Sequence, residues 1–403
     1  MRANERRLAL AACLLAPLSG IGQDLALSHA LRLNYASSDK RLSDGEHYYL
    51  GTLETKASAE LAPNLRASAK VRAGSGGVRV PFAYLGFKSA AIDIRAGKQI
   101  LAWGRTDALN PTDVVTPRDY TTLLPFDEDE RHGVWGVRGN LYATETIVAS
   151  LFYGWRFKPS TLPFASIPFE RYVFEAGAAR KRQLGLRVST SNEDFDFSVS
   201  AYRGASLLAQ AEQFEASGDG TTLTRLRYPE IDMLGADFAR NFGKYGVRIE
   251  GAAVRARQAS ELGLQPYRYL VAGADRTFGG DLNVNVQLFA RWTGAAPLQA
   301  WSDAGSRRLE TFNNLIFVQT RENTYGMTAR VANQWLNQTL GAELFVQRYF
   351  GDGSMYLHPQ VSYAITDHVK VTAGAVWYTG KDGTLFGVMK KNNGVFGELR
   401  YSF

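Results

Sequence analysis

From residue 183 onward the chain alternates apolar with polar or small side chains at a period of two, and the alternating segments are joined by connections that are either very short or long. Leu184, Leu186 and Val188 alternate with small or polar residues. Ser191-Asn192-Glu193-Asp194 then turns the chain, and Phe195, Phe197, Val199 and Ala201 resume the pattern against Asp196, Ser198 and Ser200. A period of two belongs to a pleated strand whose two faces meet different surroundings. Further tight turns fall at Asn241-Phe242-Gly243-Lys244, Phe278-Gly279-Gly280-Asp281, Leu336-Asn337-Gln338 and Thr366-Asp367-His368. Longer connections lie between them, including 204–227 and 380–393. The N-terminal half repeats the rhythm less cleanly. Its tight turns are at Ala62-Pro63-Asn64, Lys88-Ser89-Ala90 and Tyr142-Ala143-Thr144, and its long connections span 37–46, 105–132 and 158–182.

Short turns at one end and long loops at the other are the two rims of an outer-membrane barrel. The rhythm predicts an all-β chain closed into one antiparallel transmembrane β-barrel of about 18 strands, with about 14 or 16 also compatible because strand boundaries blur by a few residues. Both ends of the chain fall on the short-turn, periplasmic side. Helical spans are excluded, since past the first residues no apolar run reaches the length of about 18 that a helix needs to cross a bilayer. A barrel passes that test because only every second residue faces lipid.

Residues 1–22 read as a secretory signal: basic Arg2, Arg6 and Arg7, the apolar run from Leu8 to Leu18, then the small residues Ser19, Gly20 and Gly22. The expected mature barrel is 23–403, placed in a Gram-negative outer membrane. The single cysteine, Cys13, lies in the signal, so the expected mature chain can form neither disulfides nor thiol chemistry and is held by other means. A formal charge of +7 is a mild excess that does not imply nucleic acid. Of the aromatics, Trp103, Tyr153, Trp155, Trp292, Trp335 and Trp377 sit where strands end. These positions suit girdles at the membrane–water boundary.

Pleat alternation also assigns the inner face. Arg66, Arg72, Arg95, Arg187, Arg248, Arg291, Arg330 and Arg400 are expected to point into the lumen, with Arg32, Lys70 and Arg79, against the acids Glu54, Asp93, Asp196, Glu250, Glu343 and Glu398. Basic rings in a confined pore favour anions. The same arginines could instead pair with those acids and brace the wall.

The densest local feature is the connection at 105–132, too long and too rich in proline (Pro111, Pro117, Pro125) for a hairpin turn. It is expected to fold into the lumen as a constriction. Arg105, Asp107, Asp113, Arg118 and Asp119 would latch it there, and Asn110 and Pro111 would shape its turn. The acidic run Asp127-Glu128-Asp129-Glu130 lies in the same connection; it reads as a solvated charge run, with binding of a divalent cation or pairing with the lumen arginines as the alternatives. The run Trp103-Gly104-Arg105-x-Asp107-x-x-Asn110-Pro111-Thr112-Asp113, followed by Thr116-Pro117-Arg118-Asp119-Tyr120, resembles a group of proteobacterial outer-membrane barrels of unknown function that are often grouped with export systems. More loosely, an 18-stranded barrel with an arginine-rich lumen is similar to alginate-export channels, although no pore motif matches residue by residue.

The last strand alternates Val395, Gly397, Leu399, Tyr401 and Phe403 against Phe396, Glu398, Arg400 and Ser402. An aromatic ending at Tyr401 and Phe403 resembles the signal by which the barrel assembly machinery recognises its clients. The resemblance to those barrels implies membrane transport and leaves the substrate unstated; with the basic-leaning lumen, the expected function is a channel passing or exporting anionic or amphipathic solutes, with outer-membrane lipid, lipopolysaccharide, the assembly machinery and an export system as partners. No cofactor is expected. The rival classes are a barrel with an enzyme site at its rim and a surface-anchoring or adhesion barrel. Five histidines and no Gly-x-Ser-x-Gly elbow argue against the enzyme.

Overall fold

Each alternating segment becomes a strand because one face can then be given to lipid and the other to the lumen while the backbone bonds to its neighbours. The computed structural model describes residues 25–38, 47–75, 77–121, 130–163, 170–216, 218, 222–258, 260–294 and 303–403. The signal at 1–22, Pro125 and the acids Asp127 to Asp129 lie outside the described residues. The first strands are β1 (Leu25–Ala36), β2 (Tyr48–Ala62), β3 (Leu65–Gly74), β4 (Gly77–Lys88), β5 (Ile92–Gln99), β6 (Val134–Tyr142) and β7 (Ile147–Arg156). Then come β8 (Glu170–Phe174), β9 (Gln183–Ser191), β10 (Asp196–Ala205), β11 (Gln210–Ala216), β12 (Thr222–Arg227), β13 (Glu230–Phe242) and β14 (Tyr245–Ala256). The last are β15 (Tyr267–Thr277), β16 (Asn283–Thr293), β17 (Asn323–Trp335), β18 (Leu340–Tyr349), β19 (Met355–Ala364), β20 (Val369–Thr379) and β21 (Gly394–Ser402).

Eighteen of these strands, all except β8, β11 and β12, form one antiparallel sheet. It closes because β1 pairs with β2 on one side, from Leu25↔Ala59 to Ala36↔Tyr48, and with β21 on the other, from Ala30↔Ser402 to Ala36↔Phe396. The eight tight turns read from the sequence are the hairpin turns at one rim, where β1 begins and β21 ends. At Asn241-Phe242-Gly243-Lys244 the chain reverses through Gly243 at φ 60°, a left-handed conformation that glycine adopts without steric cost. The opposite rim carries the long connections, with two exceptions: β3 meets β4 at once through Gly77, and β18 meets β19 through a short turn.

The pleat sorts the faces as alternation requires. On β21 and at the Phe403 that follows it, Val395, Leu399, Tyr401 and Phe403 are exposed to the outside while Phe396 and Glu398 are buried inside. Tyr153, Trp155, Trp292, Trp335 and Trp377 are also exposed, in keeping with girdle positions. Trp103 is not. It is only 7% exposed and packs inside the barrel, because it belongs to a segment that has already left the wall. The connection at 204–227 differs too: it contains β11 and β12, which join β8 in a separate three-stranded sheet. That sheet packs Phe214 against Phe312 of the helix α1 (Ala304–Ile316), and Asp303 caps α1 by accepting from the Ser306 amide.

The interior divides along the barrel axis. Towards the short turns it is open and polar, with one cavity of about 1000 Å³ lined in part by Arg32, Arg330, Glu343 and Arg400. A second cavity of about 830 Å³ lies against β2 to β5 and includes Lys56, Arg66 and Arg95. Towards the long loops the lumen is packed like a soluble core. One cluster joins Leu101, Trp103 and Val115 to Phe152, Tyr202, Met233 and Val254, and another gathers Phe289, Tyr349, Tyr378, Phe386 and Phe396.

Candidate functional site in the lumen

The chain between β5 and β6 builds the boundary between these two halves. Its first part doubles back as a finger: the Leu101 amide donates to Thr116 Oγ1 at 2.9 Å, Thr116 Oγ1 donates to the Leu101 carbonyl at 2.6 Å, and the Trp103 amide donates to Asp113 Oδ1 at 3.4 Å. The finger tip, residues 104–112, closes around one side chain of the opposite wall. Glu250, on β14 and fully buried, accepts from the amides of Arg105 (2.9 Å), Thr106 (3.2 Å) and Thr112 (2.8 Å). The hydroxyls of Thr106 and Thr112 donate to the same carboxylate at 2.8 and 2.9 Å. A buried carboxylate is tolerated only when its lone pairs are filled, and here loop amides and hydroxyls fill them in place of a cation.

The motif residues explain the geometry. Gly104 stands at φ +91°, and a Cβ there would lie against both Glu250 oxygens, so a side chain at this position is strained on two independent grounds. Asn110 donates to the Thr106 carbonyl across the tip, and the buried Pro111 fixes the turn that brings Thr112 back to Glu250. Gly235 of β13 lets Thr112 approach, since a Cβ there would meet Thr112 Cγ2 at 2.5 Å.

The tip reaches far round the ring. The Ala108 amide donates to Gln287 Oε1 of β16 at 3.3 Å, and Leu109 packs against the second apolar cluster. Passing from β5 through β6, β7, β9, β10, β13, β14 and β15, β16 is the eighth strand along, almost diametrically opposite in a ring of eighteen. The finger therefore crosses the lumen.

Around the tip the charges interlock. Arg105 Nε donates to Asp237 Oδ1 at 2.6 Å and its Nη1 lies 3.1 Å from Asp196, while Arg187 also bonds Asp237 at 3.0 Å. Asp107 meets Arg248 at 3.2 Å and Asn285, and Arg248 also pairs with Asp275. Asp113 is held by the loop's own arginines, Arg118 at 3.3 Å and Arg131 at 2.7 Å. Beside the finger the chain forms a second layer, in which the Asp119 amide donates to the Glu130 carbonyl (2.6 Å) and the His132 amide to the Pro117 carbonyl (2.9 Å). The Asp119 carboxylate lies 3.3 Å from Arg79 of the wall and 3.4 Å from His132 Nε2, and accepts from the Thr121 amide at 3.0 Å. Burial alone would raise its pKa, but the hydrogen bonds from His132 and Thr121 outweigh that and hold it well below the usual carboxylate range.

The structure turns all eight lumen arginines inward and gives most of them a partner. Arg72 bonds Glu54 at 2.7 Å, Arg95 lies 3.4 Å from Asp93, Arg330 lies 2.6 Å from Glu343, and Arg66 bonds Ser58 at 3.0 Å. Arg400 lines the larger cavity beside Arg32 and Lys370. Arg291 is different. Its guanidinium stacks 3.7 Å from the Tyr267 ring centre, and its buried Nε and the neighbouring hydroxyls of Thr293 and Thr324 have no hydrogen-bond partner among the described residues. The sequence reading missed Glu250 as the centre of the site, treating it as one lumen acid among six. What marks it is the pair of threonines at 106 and 112 spaced around Gly104 and Pro111, a pattern that becomes legible only once the finger is seen.

A closed eighteen-stranded barrel with lipid-facing apolar residues, aromatic bands and a lumen crossed by its own loop is an outer-membrane β-barrel. Within that class, residues 82–403 match the model of the family described as "Protein of unknown function (DUF1302)", and the chain belongs to that family. The finger lies inside the matched region. No curated protein matches the chain. Solved structures share the fold at low identity. Pseudomonas aeruginosa OccK11 (OpdR) superposes with a TM-score of 0.60 at 10% identity, covering 95% of this chain and 97% of that one. OccK10 (OpdN) of the same organism gives 0.59 at 10% identity over 94% and 99%, and OccK3 (OpdO) 0.59 at 11% over 97% and 98%.

Proposed function

We propose that the protein is an outer-membrane channel for anionic or amphipathic solutes, and that the finger at 101–116 is its constriction. The observation that carries this reading is the crossing itself: a segment anchored on Glu250 divides an open polar vestibule from a packed outer half. A barrel built only to anchor or display its loops has no use for a vestibule of this size beneath a fitted internal segment. The anionic preference rests on Arg291, a lumen guanidinium that stacks on the Tyr267 ring and has no carboxylate partner among the described residues, its buried Nε and the hydroxyls of Thr293 and Thr324 beside it being left without hydrogen bonds, because such a group keeps a positive charge that an anion can meet.

The test is conductance of the purified, folded barrel in planar bilayers. Discrete current steps are expected, with a reversal potential in a KCl gradient that reports chloride moving faster than potassium. Arg291→Gln should shift that potential towards cations. Absence of current from folded protein would overturn the channel reading, and a cation-preferring wild type would overturn the solute class alone.

A further inference from the structure

Arg203, Asp232 and Arg255 stand side by side on the outside of the barrel. Strand register puts Arg203 of β10 opposite Asp232 of β13, and Asp232 opposite Arg255 of β14. Two residues from Arg255, Ala253 faces Arg268 of β15. Asp232 accepts from Arg203 Nε at 2.7 Å and from Arg255 Nη2 at 3.2 Å, so one carboxylate stands against two guanidinium groups. Arg268 adds a third with no carboxylate partner among the described residues. The side chains of Arg203 and Arg255 are 59% and 72% exposed. The nearby pair of Arg257 and Glu230, at 3.1 Å, adds no net charge.

These groups share their face with residues that only lipid would cover. Leu184, Leu186 and Leu234 are exposed on the same outer surface, and together with the arginines and Trp292 they line a groove of about 910 Å³. Arginine on the lipid face is disfavoured most at the middle of the bilayer and least at its boundary. The observed places agree with a boundary: Arg203 lies near the long-loop end of β10, Arg255 near that of β14, and Arg268 at the start of β15. The groove is therefore apolar towards the bilayer and net cationic where lipid headgroups lie.

We propose that this groove binds the phosphorylated, acylated disaccharide headgroup of lipopolysaccharide in the outer leaflet. Its phosphates would sit against Arg203, Arg255 and Arg268, and its acyl chains would lie over Leu184, Leu186 and Leu234. Two negative phosphates match the two positive charges left after Asp232 is counted, and guanidinium groups bind phosphate in a forked geometry that lysine cannot reproduce. The proposal rests on the outer-membrane placement of the barrel and not on its being a channel.

The experiment measures binding of bisphosphorylated lipid A to the whole barrel in detergent, by native mass spectrometry across a lipid titration, with phosphatidylglycerol and inorganic phosphate as separate probes. Wild type should retain lipid A at concentrations where phosphatidylglycerol is lost, and the triple variant R203Q/R255Q/R268Q should bind it about tenfold more weakly. Arg257→Gln, which breaks a neutral pair on the same face, should bind as wild type does. If the triple variant does not fold, Arg268→Gln alone should still weaken binding, because that guanidinium holds no partner in the wall. Equal binding by wild type and the folded variant overturns the site, as does equal retention of phosphatidylglycerol and lipid A. Binding of inorganic phosphate alone overturns it too. Failure of the outer-membrane placement would appear separately, as recovery of the protein in another cell fraction.

Discussion

At the scale of single residues, Glu250 carries the most information. Five donors within 3.2 Å converge on its carboxylate, and replacing the charge removes several hydrogen bonds at once. In Glu250→Gln the new amide group would point N–H donors at loop donors, weakening finger docking by about 3 kcal/mol on the scale of charge-assisted bonds. The barrel wall keeps its own backbone ladder, so the variant should fold and insert normally. Its single-channel conductance should rise and become noisier. Gly104→Ala should do the same without removing any charge, because its methyl group would collide with the same carboxylate. A Gly104→Ala channel identical to wild type would show that the finger does not grip Glu250. Asp119 sets the acid limit of the second layer. Its folded pKa is depressed, so its stabilisation is present above the unfolded carboxylate value of about 3.9 and is lost only as pH falls below it towards the folded value. Conductance should therefore hold steady from neutral pH to about 4 and change below that. Asp119→Asn should flatten the acid limb.

At the scale of elements, the strands were legible because each is a local pattern: two faces, two solvents, period two. Leu184, Leu186 and Val188 announce β9 without help from any distant residue. The finger was legible only in part. Its prolines and its length marked it as ordered, but the partner of Thr106 and Thr112 lies about 140 residues further on, and no periodicity connects them. Trp103 shows the same limit, since an aromatic just past the end of β5 reads alike whether it turns out to the lipid boundary or folds inward on the finger. The cap of β8, β11 and β12 was hidden for a related reason: its strands are short, and β8 pairs with β12 in parallel across a long separation. At the other rim, Phe403 exchanges two backbone bonds with His29 (2.9 and 3.0 Å) and stacks on its ring at 5.3 Å, yet remains 54% exposed. Contacts this few with the rest of the protein are worth at most about 1–2 kcal/mol to the finished barrel. Deleting Phe403 should leave the melting of refolded protein almost unchanged while lowering outer-membrane levels in cells several-fold. Normal levels in cells would remove its role as an assembly signal.

At the scale of the whole molecule, stability follows from closure. Every barrel strand has a neighbour on both sides, and the seam between β1 and β21 is paired from Ala30↔Ser402 to Ala36↔Phe396, so no edge is left from which detergent could peel the sheet. Inside, the long-loop half adds a packed core that ties β7, β10, β13 and β14 to the finger, and the cap of β11 and α1 is fixed to the 260–266 loop by Asn313, which bonds Ala211 and the Leu262 carbonyl. Unfolding must therefore break ladders around the ring together with that core, which makes the barrier high even where the net free energy is ordinary. The unboiled protein should consequently stay folded in sodium dodecyl sulfate and migrate at a different apparent mass from the boiled sample. Glu250→Gln should keep this heat-modifiable band, because the finger is an insert in the ring and not one of its staves. A single band at the same position before and after boiling would mean that the sheet is not closed in detergent. Loss of the band in Glu250→Gln alone would mean that the finger is part of what holds the ring shut, making constriction and wall one cooperative unit.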